Sequence, residues 1–176
     1  MAAAMKRRTA SCACGKVRFE AVGEPILASA CYCADCRAAS AEIGALANAA
    51  PLAEADGGTE FLLYRKDRIA CTKGADLLMP MRLEPKSRTK RLVAGCCNSA
   101  MVMAFDDSRH WVSAYRRRFD GAPPPIEMRI CMGEAPSANV AQDGMPSFKG
   151  YPTRMMLKLI GARLAMTFHK GDAIHG

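Results

Sequence analysis

Cys31-Tyr-Cys-Ala-Asp-Cys-Arg37 merges a C-x-C with a C-x-x-C, and the reading of the whole chain turns on it. A C-x-x-C lets two thiols reach one ion across a tight turn, and a C-x-C in an extended segment puts two side chains on one face. Cys12 and Cys14 form another C-x-C within Ser11-Cys-Ala-Cys-Gly15, and Cys96 and Cys97 are adjacent within Ala94-Gly-Cys-Cys-Asn-Ser99. Seven of the nine cysteines thus fall in three tight clusters, at spacings that suit metal ligation. Cys71 and Cys131 stand alone and read as small core hydrophobes. Adjacent side chains on an extended chain point apart, so Cys96 and Cys97 are the less obvious pair on one ion.

The chain has 176 residues, near the usual size of one domain. Half of them are apolar and 24% are charged, which excludes disorder over most of the length. No apolar run approaches bilayer thickness, so no transmembrane helix is expected. An odd number of cysteines cannot pair completely. Met1-Ala-Ala-Ala-Met-Lys-Arg-Arg8 carries charge with no apolar stretch behind it, so neither a secretory signal nor a transit peptide is expected. A cytoplasmic protein follows, and in that reducing compartment clustered thiols bind metal more often than they pair. Zinc leads, because short-spaced soft thiolates suit a tetrahedral d10 ion.

Lys16 to Val22 alternates polar and apolar side chains, as a strand with one buried face does. Ile26–Ala30, Thr59–Tyr64 and Leu77–Leu83 read as further strands, and Arg68–Thr72 is short and apolar-centred. Arg91–Ala94 and Ala100–Phe105 read as two strands meeting at the Cys-Cys turn. Ala38–Ala50 is alanine-rich, a short helix or an irregular segment. Gly121-Ala-Pro-Pro-Pro125 breaks the chain, and Ala135–Gly150 is loop-like. The best helix is Tyr151–Met166, with Pro152 suited to its first turn. Met155, Leu159, Ala162 and Met166 form one apolar stripe and Met156, Ile160 and Leu164 its neighbour, so the helix is expected to cover a core. The fold class is therefore mainly β with a C-terminal helix.

Cys12-Ala-Cys-Gly-Lys-Val-Arg-Phe-Glu20, then Cys31-Tyr-Cys-Ala-Asp-Cys-Arg37, then a distant cysteine cluster before Asn98-Ser99, together resemble the glutathione-dependent formaldehyde-activating enzyme family, which includes centromere-protein-V-like domains. Asp56-Gly-Gly-Thr59, Met81-Arg-Leu-Glu-Pro85 and Cys96-Cys-Asn-Ser99 are similar to a bacterial branch marked by a Cys-Cys-Asn motif. The resemblance covers residues 10–118 and leaves 119–176 as an extension whose helix, near 152–166, is expected to pack on the same domain. It implies an Mss4-like, zinc-stabilised fold of small twisted antiparallel sheets.

The resemblance also implies a structural zinc on Cys12, Cys14 and the late cysteines. Cys97 matches one late position, but the other falls at Ala94, so either Cys96 replaces it or the site has three thiolates. A second zinc is implied on Cys31, Cys33 and Cys36, with its fourth position open to a substrate thiol such as glutathione. The implied chemistry is that of a carbon–sulfur lyase acting on a small thiol adduct. Three thiolates on Zn2+ carry one net negative charge, so Arg37, directly after the cluster, is a candidate compensating and substrate-binding cation. Asn98 and Ser99 complete the candidate substrate-binding set.

No general base stands out. His110, His169 and His175 are the only histidines and none lies in a ligand motif, while Asp35 is a candidate for orienting a backbone amide inside the cluster. The net charge of +8 gathers at Lys6-Arg-Arg8, Lys86-Ser-Arg-Thr-Lys-Arg91 and Arg116-Arg-Arg118. Such patches suit nucleic acid or an anionic partner. Aromatics are only 6% and do not interleave with these runs, which argues against a single-strand stacking platform. The alternative to an enzyme is thus a non-catalytic, zinc-stabilised binding module that works through its basic surface.

Overall fold

The computed structural model describes residues 5–135 and 143–168; His169 and His175 lie outside the described residues. Ten strands form: β1 Arg7–Ser11, β2 Arg18–Val22, β3 Leu27–Cys31, β4 Thr59–Arg65, β5 Ile69–Lys73, β6 Leu78–Met81, β7 Thr89–Ala94, β8 Ser99–Phe105, β9 Trp111–Tyr115 and β10 Met128–Ile130. Two helices join them, α1 Ala34–Gly44 and α2 Thr153–Phe168.

The strands assemble into a three-stranded sheet in the order β1-β2-β5 and a seven-stranded sheet in the order β10-β3-β4-β9-β8-β7-β6. The molecule is mainly β with a C-terminal helix, as expected. Its sheets are antiparallel with one exception: β10 runs parallel to β3, with Ile130 opposite Cys31. Strand alternation explains the layering. On one face of the large sheet, Ala28, Leu62, Tyr64, Ala114 and Val102 share a core with Ala10, Phe19, Ala21 and Ile69 of the small sheet. On the other face, Leu27, Cys31, Phe61, Leu63 and Tyr115 share a core with Cys36 and Ile43 of α1 and with Met155 and Leu159 of α2. Every residue of β3 is buried, because β3 lies between both cores.

Helix α1 begins four residues ahead of the alanine-rich stretch, since the C-x-x-C itself starts it. Cys33 is the N-cap, with an extended backbone and a side chain that accepts from Cys36 N–H, and Asp35 sits favourably in the first turn. In α2, Met155 and Leu159 are buried, but the neighbouring stripe is not: Ile160 and Leu164 are each 56% exposed. One stripe suffices, because the sheet presents only one surface for the helix to cover. The segment after 118 is tied into the same fold, through β10 on β3 and through Glu134, whose carboxylate accepts from Ala34 N–H at 2.8 Å at the start of α1.

Candidate metal centres and an adjoining cavity

Residues 12–14 leave β1 in a tight turn, and residues 95–98 form the turn between β7 and β8, so the two turns meet. Cys12, Cys14, Cys96 and Cys97 lie with their Sγ atoms all within 4.8 Å of one another. The closest separations are 3.6 Å for Cys12–Cys14, 3.9 Å for Cys12–Cys96, 3.3 Å for Cys14–Cys96 and 3.9 Å for Cys96–Cys97. Tetrahedral thiolates at about 2.3 Å from zinc would be roughly 3.8 Å apart, so this donor set fits such an ion. Both adjacent cysteines reach the cluster. The expectation that they diverge fails because they occupy a turn, with Asn98 in the left-handed region at φ 52°, where strand alternation no longer applies.

Hydrogen bonds shape this cluster. Cys12 Sγ accepts from Val17 N–H at 3.2 Å, and Ser99 Oγ lies 3.2 Å from Cys97 Sγ while accepting from Ala13 N–H at 3.0 Å. Burial alone would raise the Cys97 thiol, but donors from Ser99 and Cys14 overcome it and pull it down to about 6. Arg118, nearly buried, places its charge within range of Cys12 and Cys97.

The other cluster joins the end of β3 to the start of α1. Cys31, Cys33 and Cys36 also lie with Sγ atoms within 4.8 Å of one another, Cys31 and Cys33 being 3.4 Å apart. Cys33 is held well below the ordinary thiol range, first by the S–H groups of Cys31 and Cys36 and then by backbone N–H groups at the helix start. Cys31 is pushed upward, chiefly by its hydrogen bond to Cys33. Cys33 is thus the readiest of the three to ionise, and metal binding would release the protons that remain on the others.

A cavity of about 390 Å³ opens beside these three thiols. One face of the seven-stranded sheet forms its floor and Met155 and Leu159 of α2 its cover. Arg91 reaches into it from β7, only 3% exposed, with a guanidinium that donates to the Asp35 carbonyl at 3.2 Å and a charge within range of Tyr115. Cys36 is pushed upward on balance: the hydrogen bond to Cys31 and the Arg91 charge pull it down, but the bond to Cys33 and burial outweigh them. Tyr151 lines the same space, its hydroxyl against the thiol of Cys131.

Of the residues expected to bind substrate, none lines this cavity. Arg37 is on α1 and half-buried, Asn98 donates to the Ala47 carbonyl at 2.9 Å, and Ser99 is fully buried beneath the four-cysteine cluster. Asp35 does line it. Cys71 is half-buried on β5, whereas Cys131 is buried and close to Cys31. Sequence reasoning passed over Ser29, Arg91, Trp111 and Tyr151. Only Ser29 carried a signal, standing two residues before Cys31 and so on the same face of its strand.

A family model described as "Glutathione-dependent formaldehyde-activating enzyme" matches residues 7–115, well over half of the chain. Among solved structures, the crystal structure of a Rhodobacter sphaeroides protein is similar: it is 18% identical, the match covers 66% of this chain and 91% of that one, and the TM-score is 0.47. No curated protein matches the sequence. Within the matched residues lie both cysteine clusters and eight strands besides β1, so the chain belongs to the glutathione-dependent formaldehyde-activating enzyme family.

Proposed function

We propose that the protein is a zinc-dependent, carbon–sulfur-lyase-like enzyme that makes or breaks the bond between a small thiol of the glutathione type and a carbonyl carbon. One observation carries this reading: Cys31, Cys33 and Cys36 supply only three thiols and border a cavity large enough for a ligand, whereas Cys12, Cys14, Cys96 and Cys97 supply four. A closed four-thiolate set suits a structural ion and a three-thiolate set leaves a position for substrate. Zinc, when bound at Cys31, Cys33 and Cys36, would keep an incoming thiol ionised near neutral pH.

The chain's own residues do the rest. The C–S bond forms as the thiol sulfur adds to the carbonyl carbon, the C=O π pair moves to oxygen, and that oxygen takes up the proton the thiol gave; cleavage is the reverse. Arg91, buried with a bond to the Asp35 carbonyl, offsets the negative charge of the thiolates. Tyr151 Oη is assigned to hydrogen-bond the substrate oxygen, since it lines the cavity beside the thiols. Residues 10–118 form the catalytic β domain, and residues 119–176 an extension whose helix α2 covers its site. The cytoplasm, which keeps thiols reduced, is the proposed location; none of the cysteines is in a disulfide and no helix among the described residues is long and apolar enough to cross a membrane.

The basic-surface alternative has less to work with. Arg8 is paired with Glu24, Arg116 with Glu60 and Arg117 with Glu54, while Arg91 and Arg118 are buried. The deciding experiment counts zinc per chain, then follows sulfur coordination by X-ray absorption as glutathione is added. Two ions, one of which gains a sulfur from glutathione and loses that response in Cys33→Ser, is the expected result. Metal already held by four protein sulfurs at both sites, and indifferent to glutathione, would overturn the proposal.

A further inference from the structure

The cavity is much larger than a one-carbon aldehyde needs. Its volume of about 390 Å³ is more than ten times the roughly 30 Å³ that one water occupies in the liquid, and formaldehyde is only slightly bigger than water. Its apolar wall comes from Phe61, Phe105 and Trp111 on the sheet side and Met155 and Leu159 on the helix side, with Arg91 and Arg109 adding charged wall. One polar group there has no partner: Ser29 is 1% exposed and its Oγ makes no hydrogen bond. A buried hydroxyl left unsatisfied is destabilising, and a ligand oxygen would relieve it. Ser29 lies two residues from Cys31 on the same face of β3, a backbone spacing of roughly 7 Å along the strand, about the length of a substituted benzene ring. The helix that covers the cavity lies beyond residue 115, outside the segment matched by the family model.

We infer that this cavity receives the carbon side of the thiol adduct, and that it is shaped for an aromatic aldehyde carrying a hydroxyl opposite its carbonyl rather than for formaldehyde. The aldehyde carbon faces the Cys31–Cys33–Cys36 centre, the ring packs among Phe61, Phe105 and Trp111, and Ser29 Oγ bonds the distal hydroxyl. This deepens the thiol-adduct reading and rests on it.

Trp111 is the only tryptophan, so its emission reports occupancy without any turnover. The zinc-loaded full chain is titrated with 4-hydroxybenzyl alcohol, benzyl alcohol and methanol, none of which reacts with thiols. A saturable change is expected with both aromatic alcohols and none with methanol. Ser29→Ala should weaken 4-hydroxybenzyl alcohol by about three- to tenfold, the worth of one hydrogen bond, and leave benzyl alcohol unchanged. Calorimetric titration of the same ligands provides a second readout. Absence of saturable binding by either aromatic alcohol would overturn the inference, and equal weakening of both in Ser29→Ala would remove Ser29 from it. Glutathione added to the same samples tests the underlying reading by metal coordination. If it adds sulfur to the metal while the aromatic alcohols do not bind, the substrate class is wrong and the thiol chemistry stands. If the alcohols bind and glutathione changes nothing, the thiol-adduct function fails and the inferred substrate falls with it.

Discussion

Replacing Ser99 by alanine separates two roles that the sequence left open for it, substrate binding and support of a metal centre. The side chain is fully buried, its Oγ accepts from Ala13 N–H at 3.0 Å, and it lies 3.2 Å from Cys97 Sγ. Removing it takes the partner from the Ala13 N–H in an exposed turn, at about 0.5–1.5 kcal/mol, and a donor from the Cys97 sulfur, at about 1.5–3 kcal/mol. The two losses share one hydroxyl and overlap, so a total of about 2–4 kcal/mol is expected. At about 2–4 °C per kcal/mol for a chain of this size, Tm falls by roughly 5–15 °C. Partners of metal ligands typically contribute 10- to 100-fold in affinity, so zinc at the four-cysteine cluster should weaken by about that factor in competition with a chromophoric chelator. The Cys31–Cys33–Cys36 centre and its response to glutathione should not change. The reasoning is refuted if Tm and chelator competition match the wild type while glutathione affinity drops, because Ser99 would then be touching substrate.

Two further predictions concern the frame around the sites. His110 Nε2 donates to the Leu159 carbonyl at 2.9 Å and so fastens α2 to the sheet; burial first, then the charges of Arg163 and Arg65, hold its pKa below 6.5, against the pull of that bond and of Asp67. A base with a lowered folded pKa gives full stability above its unfolded value and loses it as pH falls below that value toward the folded one. The urea midpoint should therefore decline below about pH 6.5, and His110→Gln should flatten that decline; an unaltered slope would show that other groups set it. Gly74 has φ +70°, and a Cβ there would collide with the Lys16 carbonyl oxygen next to the Cys12–Cys14 turn. Gly74→Ala should cost at least about 2 kcal/mol, with the left-handed conformation alone supplying about 1–2; a denaturation midpoint equal to wild type would contradict the packing described for that turn.

Much of the fold was legible because strands betray themselves by alternation. Thr59–Arg65 and Ser99–Phe105 fall close to where the pattern places them. Trp111–Tyr115 escaped, being short and placed between loops, and Met128–Ile130 escaped because a three-residue strand has no period to read. The helix after the Cys31 cluster starts four residues before the alanine-rich stretch that reads as a short helix or an irregular segment, since a cysteine N-cap lacks the usual serine or aspartate signal.

The sequence by itself determined which thiols belong to which neighbourhood and that the chain is mainly β, because ligand spacing and side-chain alternation are local properties. Only the tertiary structure decided the rest. It brought Cys96 and Cys97 together onto Cys12 and Cys14 across more than eighty residues, through a turn whose geometry no spacing rule records. It carried Arg91, rather than Arg37, into the cavity beside the three-cysteine centre. It set α2 over that cavity and left Ser29 buried without a partner. The physical reason is common to all of these: a cavity and a buried charge are defined by surfaces that meet from distant parts of the chain, and those meetings are made by packing.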